Sequence, residues 1–237
     1  MCGRIRQATE PDEYFATIFT DMSKVFKLEP PTATENVPPG SKPYVIHTLT
    51  GEPVISRWHW EYVPPWASKA KAYGNATIEK IMNGSRWWAG PLKHGRMIVP
   101  ADGWYEWTGE KPNKQPWYIR PHDGKPLWMA AISGWRPDLA WNDSERKTGF
   151  AIVTEEAGKG LVDLHDRRPI VLTLDDALEW MDPATTTDQA KQILTTPRPE
   201  LAFEWYEVTK KMGNSRYQGE DSAEPIYNQI QLKRIDN

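Results

Sequence analysis

Apolar residues recur at helical spacing only in short stretches of this chain. Tyr14, Phe15, Ile18, Phe19 and Met22 share one face of a 3.6-residue period. Ahead of them, Thr9-Glu10-Pro11-Asp12-Glu13 combines a cap residue, an early proline and first-turn acids, so a helix capped by Thr9 is predicted. Residues 29 to 43 hold five prolines and read as an extended, irregular connection. Tyr44 to Leu49 and Pro53 to Trp60 read as a strand pair around Thr50-Gly51-Glu52, and residues 61 to 77 as loop. From Gly95 onward short β-prone segments follow one another: 96 to 100, 104 to 108, 117 to 120, 127 to 133, 149 to 154 and 169 to 172. Residues 110 to 114 and 122 to 125 are turn-like links between them. Two short helices, 174 to 181 and 187 to 194, come next, the first capped by Thr173 or Asp175. Many strands and few helices predict an α+β fold: one β-rich domain, mainly antiparallel and barrel-like, with peripheral helices. It would run over residues 1 to 222, with 223 to 237 as a tail or terminal strand.

Composition narrows the possibilities. With 237 residues, 39% hydrophobic and 26% charged, the chain can bury one sizeable core. Its net charge of −3 argues against a strongly basic surface overall, yet the charges are unevenly placed. Residues 80 to 101 and 208 to 218 contain bases and no acid, whereas 175 to 188 carry a run of acids. The 13 Trp residues suit either a core or platforms on which bases stack. A single cysteine excludes an intramolecular disulfide and any zinc site needing two cysteine ligands. The five histidines show no metal-binding spacing, so no cofactor is implied. No apolar run approaches the roughly 20 residues of a membrane span, and the N-terminus lacks a signal segment, so a cytoplasmic location is expected.

The single cysteine is Cys2. Removal of Met1 would leave an α-amine and a β-thiol on one residue. An α-amine has a pKa of about 7.7 to 8.0 against about 10.4 for lysine, so roughly a tenth of it is neutral at pH 7. Such an amine attacks aldehydes. The thiol can then close on the imine carbon, giving a five-membered thiazolidine that outlasts an imine.

Further landmarks stand in order along the chain: Met1-Cys2-Gly3-Arg4, Asn36-Val37-Pro38-Pro39-Gly40, Trp60 to Trp66, Asn75-Ala76-Thr77-Ile78-Glu79, His94-Gly95-Arg96, Ala101 to Trp107, Leu164 to Pro169, and Met212-Gly213-Asn214. Together they closely resemble the SRAP family (SOS response-associated peptidase), whose members cross-link abasic sites in single-stranded DNA. The resemblance runs from residue 2 to about 219. It implies that Cys2 forms the thiazolidine with C1′ of the sugar, and that Asn75 holds the cysteine and sugar. It further implies that Glu106 is the active-site carboxylate and that His165 assists ring opening and reversal. One departure stands out: Thr77 occupies the place of a family arginine expected to contact phosphate, so either the DNA affinity is weaker and less salt-dependent or Lys80 or Arg86 substitutes. Arg4, Arg86, Arg96, Arg167 and Arg168 are phosphate candidates, with Thr77 beside them as a hydrogen-bond donor. Trp66, Trp87 and Trp88 are stacking candidates. Arg168, just before a proline, equally suits a buried ion pair.

Two other readings remain open in the sequence. Cys2 could be the nucleophile of a peptidase, as the family name records, or the protein could be a non-enzymatic single-strand binding module. The partner expected is single-stranded DNA carrying abasic sites, engaged by a monomer.

Overall fold

The computed structural model describes residues 3–21, 34–67, 69–137, 149–158 and 160–226. Cys2, Met22 and the tail beyond residue 226 lie outside the described residues. Within them the strands are β1 (Ile5–Arg6), β2 (Tyr44–His47), β3 (Val54–Arg57), β4 (Asn75–Thr77), β5 (Arg96–Ala101) and β6 (Gly103–Thr108). The second half of the chain adds β7 (Gln115–Pro121), β8 (Leu127–Ser133), β9 (Phe150–Glu156), β10 (Arg167–Pro169), β11 (Val171–Leu172) and β12 (Phe203–Glu207). The helices are α1 (Pro11–Ile18), α2 (Ile78–Met82), α3 (Arg86–His94), α4 (Leu174–Met181) and α5 (Thr187–Ile193).

The strands form two open sheets rather than the barrel-like closure predicted. A four-stranded sheet runs β1-β6-β7-β12, and an eight-stranded sheet follows the order β10-β9-β8-β5-β2-β3, with β11 on β8 and β4 on β9. Strand pairing is antiparallel except for β4, which runs parallel to β9. Alternation along the strands explains the layering. Met97, Val99 and Ala101 of β5 face the smaller sheet, where they pack with Ile5, Trp104, Ile119 and Phe203. Ile98, Ala130 and Ile132 face the other way, under Trp88, Leu92, Ala177, Trp180 and Ile193 of the helices. Because β5 and β8 are buried along their whole lengths, their sequences carry no polar alternation.

α1 buries Tyr14, Phe15 and Ile18, as its period predicts. Its cap differs from the expectation. Glu10 precedes the helix, and the Thr9 hydroxyl donates instead to Asp102 Oδ1 at 2.7 Å. The same carboxylate accepts from the amide of Ala8 and the hydroxyl of Tyr14, so it outcompetes the helix end for Thr9. In α4 it is Thr173, of the two cap candidates, that accepts from the amide of Asp176.

Helices α2 and α3 and strands β1, β4 and β12 have no clear sequence signal. α3 contains Gly90 and Pro91, which weigh against a helix. It persists because Trp88 and Leu92, four residues apart, seat on the large sheet, and because Ser85 caps its start. β4 lies in the stretch read as loop; only its pairing with β9 makes it a strand. Among the described residues, no helix is long and apolar enough to cross a membrane.

Candidate active site

At one end of the small sheet lies an open cleft of about 550 Å³. Gly3 and Arg4, Glu106 and Trp107 of β6, Lys111, Pro112 and Lys114 of the β6–β7 loop, His165, Lys210 and Gly213 line it. Glu106 shares the inward face of β6 with Trp104, so the pleat itself drives its carboxyl toward the core. It is only 4% exposed, and its Oε1 has no hydrogen-bond partner among the described residues. Burial, reinforced by the negative charge of Asp166, pushes its pKa up to about 7.

His165 follows the turn Leu161–Asp163, pinned by buried Leu161 and Leu164. Gly160 starts that turn at φ 89°, with the Trp205 ring about 3 Å from where a Cβ would stand, so only glycine fits. The His165 Nδ1 is 3.0 Å from the Arg167 amide and 2.6 Å from Asp166 Oδ1. These contacts ask opposite things of one nitrogen, since the amide needs an acceptor and the carboxylate a donor. Burial is the largest cause lowering the pKa of the ring; Asp166 opposes it, while Lys114 and Arg167 add to it more weakly. A neutral ring that accepts from the fixed amide at Nδ1 would carry its proton on Nε2. Asp166 is 80% exposed at its side chain and can turn to water.

The structure brings Arg4, Glu106 and His165 together in this cleft. Asn75 is half-buried at the start of β4, beside Ile152 of β9, and is not among the described residues that line the cleft. Arg4 Nη1 donates to Asn36 Oδ1 at 2.8 Å, and its guanidinium lies over the Trp107 ring. Arg167 makes a two-pronged pair with Glu79, and this pair, more than the Thr77 hydroxyl, holds Glu79 below its ordinary range. The loops after β3 gather a separate cluster. Trp66 is 53% exposed, Arg86 stacks on it at 4.5 Å, and Trp87 meets both Trp66 and Tyr73 edge-on.

Three sequence candidates are buried and unavailable to a nucleic acid. Trp88 is core, packed against Tyr62. Arg168 is enclosed between Glu155 at 2.6 Å and Glu200 at 3.2 Å, the buried-pair alternative noted for it. Arg96 donates to four backbone carbonyls, those of Trp180, Leu92, Asp182 and Thr185. Its guanidinium ties α3 to the end of α4 from beneath. Arg96→Ala would strand these acceptors, and we expect a loss of about 3 kcal/mol or more in urea-monitored stability. A variant that melts like wild type would show that water replaces the guanidinium.

Lys111, Lys114 and Lys210 were not among the sequence candidates. Lys210 sits in the acid-free run near the C-terminus, which is a usable signal. Lys111 and Lys114 follow Glu110 in a turn, and nothing local distinguishes them.

The chain is similar to several known proteins. The sequence profile described as SOS response associated peptidase (SRAP) matches residues 1–215. The chain is 36% identical over 228 residues to the abasic site processing protein YedK of Escherichia coli, covering 95% of this chain and 100% of that one. It is 26% identical over 220 residues to the abasic site processing protein YoaM of Bacillus subtilis, covering 91% and 94%. A solved phage-related protein from Bordetella bronchiseptica is 40% identical and superposes with a TM-score of 0.77, covering 92% of this chain and 99% of that one. A protein from Bacteroides thetaiotaomicron shares the fold at 20% identity and a TM-score of 0.75, covering 95% and 100%.

Proposed function

The chain belongs to the SRAP family, and from that premise we propose that it captures abasic sites in single-stranded DNA through a thiazolidine on Cys2. The observation that carries this reading is the cleft itself. Gly3, bonded to Cys2, lines it together with Glu106 and His165.

The chemistry follows in order. The abasic sugar is mostly a closed hemiacetal, and His165, with its proton on Nε2, assists ring opening. The α-amine left by Met1 removal adds to the aldehyde carbon. Glu106, near half-protonated at neutral pH, accepts a proton from the amine and returns one to the departing hydroxyl. Water leaves, the thiol adds to the imine carbon, and the ring closes. Asn75 orients the cysteine and sugar by hydrogen bonds. Beyond the reacting atoms, Trp66, Arg86 and Trp87 offer stacking and charge to the strand. Arg86 is exposed on α3, and it takes the phosphate role that Thr77 cannot fill.

A single-stranded oligonucleotide with one abasic site tests the reading. A retarded band on a denaturing gel is expected, and none with the undamaged oligonucleotide. Retardation on a native gel with no denaturation-resistant band would overturn it in favour of a binding module.

A further inference from the structure

Four cations, Arg4, Lys111, Lys114 and Lys210, line one cleft in which Glu106, buried and half-neutral, is the single acid among the described residues. Arg4 is a fixed wall, held by Asn36 and Met212 and laid over Trp107. The lysines are different. All are exposed, and among the described residues none is paired with an acid. Their loops are nonetheless placed. Gln115 Nε2 donates to the carbonyl of Val208 at 2.9 Å, tying the β6–β7 hairpin to the segment that carries Lys210. Trp117 Nε1 donates to Thr108 Oγ1 at 2.9 Å, closing the base of the hairpin. Unneutralised like charges on anchored loops repel one another, and a bound dianion would relieve that repulsion. A volume of about 550 Å³ falls in the range of small-molecule sites.

We infer that the cleft captures phosphate-bearing sugar aldehydes as a class, free in solution as well as within DNA, with Lys111 and Lys114 holding the phosphate. The inference rests on the thiazolidine reading above and adds a second source of substrate to it. The step is a condensation. The amine nitrogen and the thiol sulfur each bond to the aldehyde carbon, and its oxygen leaves as water. No oxidant or reductant enters. An unphosphorylated sugar has the same aldehyde but nothing for the lysines to hold, so the two should differ in rate.

The test uses the full chain with Met1 removed, followed by intact mass. Three probes are compared: 2-deoxyribose 5-phosphate, 2-deoxyribose, and an abasic single-stranded oligonucleotide. The sugar phosphate is expected to add its own mass less one water, about tenfold faster than 2-deoxyribose at low ionic strength, with the advantage shrinking as salt rises. In Lys111→Gln/Lys114→Gln the ratio between the two sugars should fall to within about twofold. An oligonucleotide adduct with equal rates for both sugars would overturn this inference and leave the function standing. No adduct with any probe would remove both. A preference that persists unchanged in the double variant would overturn the assignment to these lysines.

Discussion

Cys2→Ala is expected to abolish the durable DNA adduct while leaving a reversible one that can be trapped. Alanine at this position still presents a free α-amine once Met1 is removed. That amine keeps a pKa of about 7.7 to 8.0, so it still forms an imine with the abasic aldehyde. Without the thiol the imine hydrolyses during denaturation. On a denaturing gel the variant should show no band unless borohydride is added during the reaction, when a band returns. A protein that retains Met1 should show none under either condition, because its second-residue nitrogen is an amide. Full-level adduct from the Met1-retaining protein would sink the mechanism, since it would place the nucleophile elsewhere.

Glu106→Gln should slow capture and stabilise the fold at once. Folded Glu106 keeps its proton up to about pH 7, against an ordinary value of 4.5. Between those limits the folded state holds more protons than the unfolded state, so this residue's contribution falls as pH rises. Above about pH 7 the penalty is complete, on the order of 3 kcal/mol for a buried carboxylate. Glutamine has the same shape and no charge to desolvate. The variant should therefore melt above wild type at pH 8, with the gap closing toward pH 5. Its capture rate should fall by about a hundredfold or more, because glutamine cannot relay protons. The wild-type inflection near pH 7 should vanish from its pH–rate profile. A variant that melts below wild type at pH 8 would mean that the carboxylate is well solvated or paired.

The family was legible in the sequence because it depends on residue type and order. An N-terminal cysteine reads as an aldehyde trap from its two functional groups alone. Glu106 stands within the aromatic run Trp104 to Trp107, and the fold buries it there. The strands from residue 96 to 172 were legible too, since β-prone runs between turn residues are a local signal. β4 was not, because a three-residue strand has no pattern of its own and exists only beside β9.

The arginines mark the boundary most clearly. Arg4 and Arg96 look alike in the sequence, each two or fewer residues after a glycine. Arg4 borders the cleft, while Arg96, on the helix-facing side of β5, is consumed by four carbonyls. Strand parity turns Arg96 under the helices, and parity acquires meaning only once a second layer covers one face. The same holds for Lys111 and Lys114, which gain significance from a turn that brings them to the cleft that His165 and Lys210 also line. By itself, the sequence determined the family and most of the strands, since these follow from residue identity and local pattern. The tertiary structure alone decided that the sheets stay open, which cations face the cleft and which carry load inside, and that Glu106 is poised near neutrality. Those are properties of burial and of distance between residues far apart in the chain.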